Sequence, residues 1–420
     1  MQFVGEVCRI GRTLRKVKVS PPRRSASVAA MSQDEEPAAY CDPPPFTVAA
    51  QGHRLAFYPG GADRYTALMD LIDSARSRLD LAFYIFAADA SGRAFRDALV
   101  RAAQRGVAVR IIVDGFGAEA DAAFFAPLVA AGGRFRCFLG SWSLRALIRN
   151  HQKIVIADDA RVMLGGFNVE DDYFAPPAKQ GWNDFAVTVE GPVVSRASQW
   201  FAELDSWAAR RKAPFRAIRR KLRCWDSGDE PVQLLIGGPT RGLSSWARCV
   251  SRDLAEGERL DMMMAYFSPP PRLRRRIARI ARAGQTRLVT AGKSDNTATI
   301  AASRALYARL LQAGARIWEF EATKLHTKLI VLDDAVYLGS ANFDMRSLYI
   351  NLEIVLRIED AALADRMREL IAHALPASRE ITPALHRRRA TPLARLRWWA
   401  SWFLVSVLDY TVSRKLNFGL

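Results

Sequence analysis

Two stretches of the chain follow one pattern: NHQKIVIADDARVMLGGFN at residues 150–168 and LHTKLIVLDDAVYLGSAN at residues 325–342. Each contains a histidine, a lysine two residues later and an aspartate five residues after the lysine. A Gly-Gly or Gly-Ser pair and an asparagine follow. Because a strand has a period of two, the histidine and the lysine project from the same face, while the apolar run IVIA or LIVL continues the strand into the core. The pattern therefore predicts an imidazole beside a cation in each half of the chain.

The repetition of this pattern distinguishes a catalytic site from a packed histidine. A single histidine on a strand is more often a satisfied core residue than a catalyst. Here two of only five histidines fall at matching places in a repeat, which favours a shared chemical role. The candidate catalytic set consists of the motif residues His151, Lys153, Asp158, His326, Lys328 and Asp333.

The repeat extends well beyond the motif. LVAAGGR in the first half and LLQAGAR in the second are near copies. In both halves a buried strand, an amphipathic helix and a second strand come before these copies; they are predicted at 79–86, 92–105 and 107–115, and at 260–267, 271–283 and 286–293. Strands that alternate with helices indicate an α/β fold. We predict two similar domains, each a mixed β-sheet flanked by helices, related by a pseudo-twofold axis.

Composition along the chain predicts where these domains begin and end. A segment rich in Pro, Ser and acidic residues comes first and cannot bury enough apolar surface to order itself. A stretch crowded with Arg and Lys lies between the halves and is predicted to be a linker or surface loop. The predicted divisions are a disordered segment at 1–45, domains at 46–209 and 231–380, a basic linker at 210–230 and a C-terminal segment at 381–420. Met31 is an alternative start of the chain, which the sequence leaves open.

The overall charge and the cysteines limit the possible functions. A formal net charge of +18 predicts attraction to a polyanion, and both anionic lipid and nucleic acid fit that description. The five cysteines have no CxxC spacing, so neither a disulfide framework nor a zinc site is predicted. No apolar stretch of signal-peptide length follows the basic N-terminus, so secretion is not expected.

The C-terminal segment, RLRWWASWFLVSVLDYTVSRKLNFGL at 395–420, combines aromatic and basic residues. A membrane-spanning helix needs about 20 apolar residues, and the apolar run of this segment is shorter. Tryptophan beside arginine is typical of a helix that lies in the membrane interface, with the rings at headgroup depth. A helix packed on the protein's own core is the alternative. The sequence leaves both open.

On these motifs the chain resembles the phospholipase D superfamily, whose signature of HxKxxxxD followed by GSxN occurs twice in enzymes that fold as one chain. The resemblance covers about residues 46–375. It implies that one histidine forms a covalent phosphohistidine while the other protonates the leaving alcohol and then deprotonates the incoming one. The resemblance makes His151 the nucleophile and His326 the acid and base, although the symmetry of the two motifs leaves that order open.

The resemblance also implies roles for the residues around the histidines. Lys153 and Lys328 would neutralise the substrate phosphate, with hydrogen bonds from Asn168, Ser340 and Asn342. The first copy departs from the family by having Gly166 where the second has Ser340. Carboxylates that orient the imidazoles are expected at Asp184 and Glu353, while the motif residues Asp158 and Asp333 are expected to brace the strand ends. No metal or other cofactor is expected.

Three further stretches are similar to the bacterial cardiolipin synthases, of the shorter type without N-terminal transmembrane helices: WNDFAVTVEGPVV at 182–194, GKSDNT at 292–297 and GSANFDMRSLYINLE at 339–353. This similarity implies phosphatidylglycerol as the donor lipid and peripheral binding to the cytoplasmic face of a bacterial membrane. The acceptor stays open between phosphatidylglycerol, phosphatidylethanolamine and water; water would give phosphatidic acid.

A nuclease is the alternative from another class. Small nucleases of the superfamily usually carry one motif per chain and dimerise, whereas this chain carries both motifs, so nucleic acid is not the expected partner. The oligomeric state is not predicted, because a monomer is sufficient for the active site.

Overall fold

Two eight-stranded sheets carry the two motifs in the computed structural model of the protein. The structure describes residues 39–138, 148–210, 215–228, 231–240 and 242–408, which belong to one compact unit. The strands of the first sheet are β1 (Phe46–Ala50), β2 (His53–Tyr58), β3 (Arg78–Phe83), β4 (Ala108–Asp114), β5 (Arg134–Phe138), β6 (Ile154–Ala157), β7 (Arg161–Gly165) and β8 (Ala186–Glu190). Those of the second are β9 (Val232–Gly237), β10 (Leu260–Met264), β12 (Thr286–Ala291), β13 (Arg316–Phe320), β14 (Lys328–Leu332), β15 (Ala335–Gly339), β17 (Glu353–Glu359) and β18 (Ser378–Glu380).

A short strand pair and the helices complete the fold. The pair is β11 (Phe267–Ser268) with β16 (Phe343–Asp344). The helices are α1 (Gly61–Asp73), α2 (Ala90–Gln104), α3 (Ala126–Ala130), α4 (Asp171–Phe174), α5 (Val193–Ala208), α6 (Phe215–Arg223), α7 (Ser245–Glu256), α8 (Pro271–Arg282), α9 (Thr297–Gln312), α10 (Met345–Tyr349), α11 (Ala361–His373), α12 (Pro383–Arg389) and α13 (Pro392–Phe403). A 3₁₀ turn forms at Pro177–Lys179, and a π-helical turn at Leu404–Leu408 extends α13.

The two sheets share one topology. The first has the order β1-β2-β8-β7-β6-β3-β4-β5, and the second has the order β18-β13-β12-β10-β14-β15-β17-β9. When the edge strands β1 and β18 are set aside, the order β2-β8-β7-β6-β3-β4-β5 of the first sheet matches the order β9-β17-β15-β14-β10-β12-β13 of the second, which is its list taken in reverse. The directions match as well, because β3 pairs in parallel with β4 and antiparallel with β6, just as β10 pairs with β12 and β14. The predicted α/β fold of two similar halves is confirmed.

The motif strands are buried on both faces, which explains their continuous apolar sequence. Alternate residues of β6 point to different cores: Ile154 and Ile156 join a central cluster shared by both halves, whereas Val155 packs with α1 and α2. In β14, Leu329 likewise faces the central cluster while Ile330 faces the outer core of the second half. The two sheets therefore enclose a common core, and each keeps a layer of helices on its outer side.

The basic stretch at 210–230 is not simply a linker or surface loop, so that prediction was wrong for its described part. Helix α6 lies within it and buries Ile218 and Leu222, which are four residues apart and therefore share one face of the helix. Trp225 is also buried, and its indole Nε1 donates to the carbonyl oxygen of Leu234 at 2.8 Å. Because Arg and Lys dominate the segment, two apolar residues four positions apart do not give a clear helical pattern in the sequence.

The predicted disorder of residues 1–45 is wrong for its last part, and residues 1–38 lie outside the described residues. Tyr40 packs edge-on against Phe320 of the second half, with ring centroids 5.0 Å apart. Its hydroxyl accepts a hydrogen bond from the side-chain amide of Asn183 in the first half, at 2.8 Å. Tyr40 is ordered because it fills a position between the two halves, and only the tertiary structure creates that position.

Candidate active site

The two motifs meet where the halves contact each other, and we call this contact the seam. At the seam, the backbone of each motif histidine hydrogen-bonds the backbone of the other half instead of a strand of its own sheet. The amide of His151 donates to the carbonyl of Leu352 at 3.0 Å, and the amide of His326 donates to the carbonyl of Asn183 at 2.7 Å. The two contacts are reciprocal, as a pseudo-twofold relation requires. They also explain why β6 begins only at Ile154, although the sequence predicts His151 and Lys153 on the strand itself.

Each imidazole is held by a carboxylate from the opposite half. Nδ1 of His151 lies 3.0 Å from Oε2 of Glu353, and Nδ1 of His326 lies 2.7 Å from Oδ2 of Asp184. Both carboxylates are fully buried. A hydrogen bond at one ring nitrogen sets the tautomer at the other, so this arrangement leaves Nε2 of each ring with the lone pair. The structure thus brings all four of these predicted residues together.

The two motif lysines lie under the same seam. The ammonium of Lys153 donates to the carbonyl of His151 at 2.7 Å, and that of Lys328 donates to the carbonyl of His326. Both side chains are almost completely buried. Because an ammonium has three donors, these bonds leave N–H groups for an anion in the site.

Burial makes the site poor at holding positive charge without an anion. It lowers the pKa of His151 to about 4 and that of His326 to about 3, and the lysines act in the same direction. It also lowers the pKa of Lys153 to about 7 and that of Lys328 to about 8. Each lysine lowers the pKa of the histidine in the other half as well as its own, so the four bases form one electrostatic cluster.

A phosphodiester matches the charge that this cluster lacks. Asp184 and Glu353 balance two charged lysines, and one bound phosphodiester anion would balance a proton shared by the two histidines. One imidazole could then be neutral and nucleophilic while the other is protonated, which is the state that a two-histidine phosphoryl transfer needs. The arrangement is suited to displacement at a phosphate through a covalent intermediate.

The Gly-Ser and Gly-Gly pairs differ for a structural reason, while the role of Ser340 in phosphate binding stays a prediction. The hydroxyl of Ser340 donates to Oε2 of Glu353, so it supports that carboxylate. In the first half, a Cβ on Gly166 would lie 2.6 Å from Oδ1 of Asp184. The shorter aspartate occupies the space of a side chain there, and only glycine fits beside it.

The two predicted asparagines are both buried at the seam. Nδ2 of Asn168 donates to the hydroxyl of Tyr173 at 3.0 Å, while its Oδ1 accepts from the amide of Ile85 at 3.1 Å. Oδ1 of Asn342 has no hydrogen-bond partner among the described residues. Both amide atoms of Asn168 are therefore used within the protein, whereas Asn342 keeps a free acceptor in its Oδ1 within the described part of the chain.

The motif aspartates lie at the other end of the motif strands. Asp158 follows β6 and accepts hydrogen bonds from the amides of three successive residues, Arg76, Ser77 and Arg78. Asp333 follows β14 and accepts from the amides of Glu258 and Arg259. Both aspartates have a positive φ, so they also form the turns that reverse the chain. These contacts tie the turn to the entry of β3 or β10 and lie away from the histidines.

Three important residues of the first half were missed by sequence reasoning. The rings of Tyr173 and Trp182 pack edge-on against His326, with centroids 5.1 and 5.3 Å away. The fully buried guanidinium of Arg64 donates to the backbone carbonyls of Tyr173, Trp182 and Asp184. It thereby holds the segment that surrounds His326. Trp182 opens the stretch 182–194 that is similar to cardiolipin synthases, but its contact with His326 is not visible in the sequence. Arg64 and Tyr173 lie outside the motifs and the similar stretches, so the sequence carries no signal for them.

Neither a metal site nor a membrane-spanning helix is present in the described part of the chain. No group of three or more His, Cys, Asp or Glu side chains could hold a metal ion there. In the same residues, every helix is too short or too polar to cross a bilayer.

Comparison with known proteins places this site in a family. The family described as "Cardiolipin synthase, PLD-like domain" matches residues 68–205 and 252–375, and so includes both motifs. Cardiolipin synthase B of Salmonella typhimurium is 30% identical over 338 residues, which cover 76% of this chain and 79% of that protein. A major cardiolipin synthase of Bacillus subtilis is 29% identical, over 77% of this chain and 69% of the relative.

Solved structures show the same fold at lower identity. Phosphatidylserine synthase of Haemophilus influenzae superposes with a TM-score of 0.67 at 15% identity, and the match covers 88% of this chain and 97% of that one. Polyphosphate kinase of Porphyromonas gingivalis superposes with a TM-score of 0.53 at 16% identity, over 86% of this chain and 54% of that one. With its duplicated motif, reciprocal seam and matching relatives, the chain belongs to the cardiolipin synthase family of the phospholipase D superfamily, as a phosphatidyltransferase enzyme.

Proposed function

We propose that this enzyme makes cardiolipin from two molecules of phosphatidylglycerol through a phosphohistidine intermediate. The observation that carries the proposal is the buried cluster of two histidines and two lysines, in which each imidazole is oriented by a carboxylate of the opposite half. The histidines of this cluster can hold a proton only when an anion is bound beside them. Each imidazole then presents a nitrogen that can attack phosphorus or transfer a proton. The relatives named as cardiolipin synthases support a phospholipid as that anion.

In the first half-reaction, Nε2 of His151 attacks the phosphorus of the donor lipid. A bond forms between this nitrogen and phosphorus, and the bond from phosphorus to the glycerol headgroup oxygen breaks. That oxygen takes a proton from His326 and leaves as free glycerol. Lys153 and Lys328 stabilise the charge that builds on the non-bridging oxygens, and Nδ2 of Asn342 is the amide donor that would add a hydrogen bond there.

In the second half-reaction, a hydroxyl of another phosphatidylglycerol loses its proton to His326 and attacks the same phosphorus. The bond to His151 breaks, and cardiolipin is released. His326 takes up its proton when the anionic donor binds, gives it to the first alcohol, regains one from the second alcohol and loses that proton when cardiolipin leaves. Asp184 and Glu353 favour the cationic form of each ring as it arises.

The proposal is tested with phosphatidylglycerol vesicles that carry one label in the headgroup and another in the acyl chains. We expect cardiolipin and free glycerol in equal amounts, and none with His151→Ala. Phosphatidic acid as the sole product would identify a hydrolase, and a phosphatidylethanolamine adduct would identify another acceptor. Cleavage of DNA or RNA in a parallel assay without lipid turnover would overturn the proposal in favour of a nuclease.

We also propose that helix α13 docks the enzyme on an anionic membrane. One side of α13 packs on the protein: Trp398 is 4% exposed and stacks on His386 with a centroid distance of 5.4 Å. The outward side exposes Leu396 and Phe403 by 68% and 52%, in a stripe with Leu393, Trp399, Leu404 and Leu408. Exposed arginines flank this stripe at positions 387, 388, 395 and 397. An apolar stripe beside cations fits a lipid surface that carries negative charge.

Replacing Leu396 and Phe403 together with serine is expected to lower binding to phosphatidylglycerol vesicles by roughly tenfold or more, because two exposed apolar side chains no longer enter the interface. The melting temperature should not change, since both side chains face away from the core. Vesicle sedimentation and thermal unfolding measure the two effects.

Trp398→Ala is the matched control on the inner side of the same helix. It should lower the melting temperature, because it removes a buried ring. Unchanged vesicle binding by a stable Leu396→Ser/Phe403→Ser protein would contradict docking through α13.

A further inference from the structure

The hydroxyl of Tyr173 contacts Nε2 of His326, the nitrogen that has to exchange protons in the proposed reaction. The phenol oxygen and this nitrogen lie 3.3 Å apart. The phenol ring is buried and stacks on the indole of Trp182 with a centroid distance of 5.4 Å and an interplanar angle of 9°. Helix α4, which carries Tyr173, is held through the bond from Arg64 to the carbonyl of Tyr173 at 2.8 Å. The hydroxyl therefore has a defined position beside the imidazole.

The direction of the hydrogen bonds around Tyr173 follows from its neighbours. Oδ1 of Asn168 accepts from the amide of Ile85, so Nδ2 must face the phenol oxygen and donate to it. The phenol proton is then directed at Nε2 of His326. At the other ring nitrogen, Nδ1–H is donated to Asp184. In the free enzyme, the lone pair on Nε2 of His326 is occupied by the hydroxyl of Tyr173.

The second half has no equivalent of this contact. Ser347 follows Asn342 by as many residues as Tyr173 follows Asn168. Its hydroxyl donates to Oε1 of Glu353 at 2.8 Å instead of to an imidazole. Among the residues that the structure describes, none donates a hydrogen bond to Nε2 of His151. The pseudo-twofold symmetry of the motifs is therefore broken at the two reactive nitrogens.

We propose that Tyr173 is a positioning residue that caps Nε2 of His326 and so makes the two histidines chemically unequal. This inference rests on the proposed function of the same site. While the cap holds His326 as a neutral ring that cannot attack, His151 has the lone pair that is available to phosphorus. When an alcohol oxygen enters the site, it replaces the phenol at Nε2 and exchanges its proton there. The order of the two histidines, which the repeated motif leaves open, follows from this contact.

The cap also has a defined effect on protonation. The charged groups that face His326 are Asp184, Lys328 and Lys153, and Tyr173 adds its neutral phenol. A hydroxyl that donates to the lone pair stabilises the neutral imidazole, and this bond is lost when Nε2 binds a proton. The phenol thus lowers the pKa of His326, in the same direction as burial. Its removal should raise that pKa, whereas the pKa of His151 should not respond.

The test uses Tyr173→Phe in the full-length protein labelled with ¹⁵N-histidine. At neutral pH, the Nε2 resonance of His326, assigned with His326→Gln, should move toward that of an imidazole nitrogen without a hydrogen bond. In donor cleavage, the limb of the pH–rate profile that belongs to His326 should move to higher pH by about one unit, the size expected for loss of one hydrogen bond. The limb that belongs to His151 should stay in place.

Tyr307→Phe is the matched control, because it removes another buried phenol hydroxyl, 2.6 Å from Thr290, that contacts neither motif histidine. It should leave the Nε2 resonance of His326 and the pH profile as in the wild type. An unchanged resonance of His326 in a folded Tyr173→Phe protein would overturn the inference, as would an equal displacement of both histidines. The spectrum needs no lipid turnover, so failure of the proposed function would be seen separately, in the vesicle assay.

Discussion

His151→Ala and His326→Ala are each expected to lower cardiolipin formation by about 10⁴-fold or more, since one removes the attacking nitrogen and the other the proton carrier. The double variant should be little worse than either single variant, because residues that act as one unit do not contribute additively. Initial rates on phosphatidylglycerol vesicles measure all three. His373→Ala is the control, since it removes an exposed imidazole of the second half that hydrogen-bonds the carbonyl of Cys41 and neither motif histidine.

The covalent intermediate separates the roles of the two histidines. When the reaction is stopped with acid, acyl-labelled phosphatidylglycerol should leave label on the wild-type protein and on His373→Ala. His151→Ala should carry none. Label that persists in His151→Ala and disappears in His326→Ala would assign the nucleophile to His326 and contradict both the proposed order and the role of Tyr173.

Glu353→Gln and Asp184→Asn are each expected to lower turnover by roughly 10²- to 10⁴-fold, because the shape is kept while the charge that favours the imidazolium is lost. Their effects should differ in kind. Glu353 lies in the second half but bonds His151, so Glu353→Gln should slow the formation of the covalent intermediate with any donor. Asp184 lies in the first half but bonds His326, so Asp184→Asn should weaken proton transfer to the leaving group.

A donor with a p-nitrophenol leaving group tells these two effects apart, because p-nitrophenolate leaves without a proton. Asp184→Asn should recover most of its label incorporation with this donor, and Glu353→Gln should not. Glu321→Gln, which removes the charge of a carboxylate paired with Arg379 outside the seam, serves as the control. The opposite result, with recovery in Glu353→Gln, would mean that each carboxylate acts within its own half.

The sequence was sufficient for the architecture because the architecture is repeated. Strands β6 and β14 read as apolar runs, since both of their faces are buried. The matched helices and strands before them confirm the order predicted from the two copies. Duplication also identified the two histidines, because a functional histidine and a packed one look alike until the pattern occurs twice.

Local composition was a weaker guide at the edges of the repeat. The basic segment that contains α6 is predicted to be a linker, because Ile218 and Leu222 are too few among its arginines to give a periodic apolar pattern. Tyr40 was assigned to disorder because the proline-rich stretch around it lacks a periodic pattern. Tyr40 and helix α6 are both ordered by packing against distant parts of the chain. A short window of sequence does not contain those distant parts. The same holds for α13, whose tryptophans divide between a buried side and an exposed side.

The α/β fold and the two motifs follow from the sequence alone, and the family resemblance adds Asp184 and Glu353 as the expected partners of the histidines. The packing of the two halves was needed to show that each carboxylate bonds the histidine of the opposite half, that Ser340 donates to Glu353, and that the hydroxyl of Tyr173 lies beside Nε2 of His326. The physical reason is that a repeat encodes what the two halves share, through the period of strands and helices. Contacts across the seam depend on how the halves pack, and a difference such as Tyr173 against Ser347 gains its meaning only when both imidazoles lie in one site.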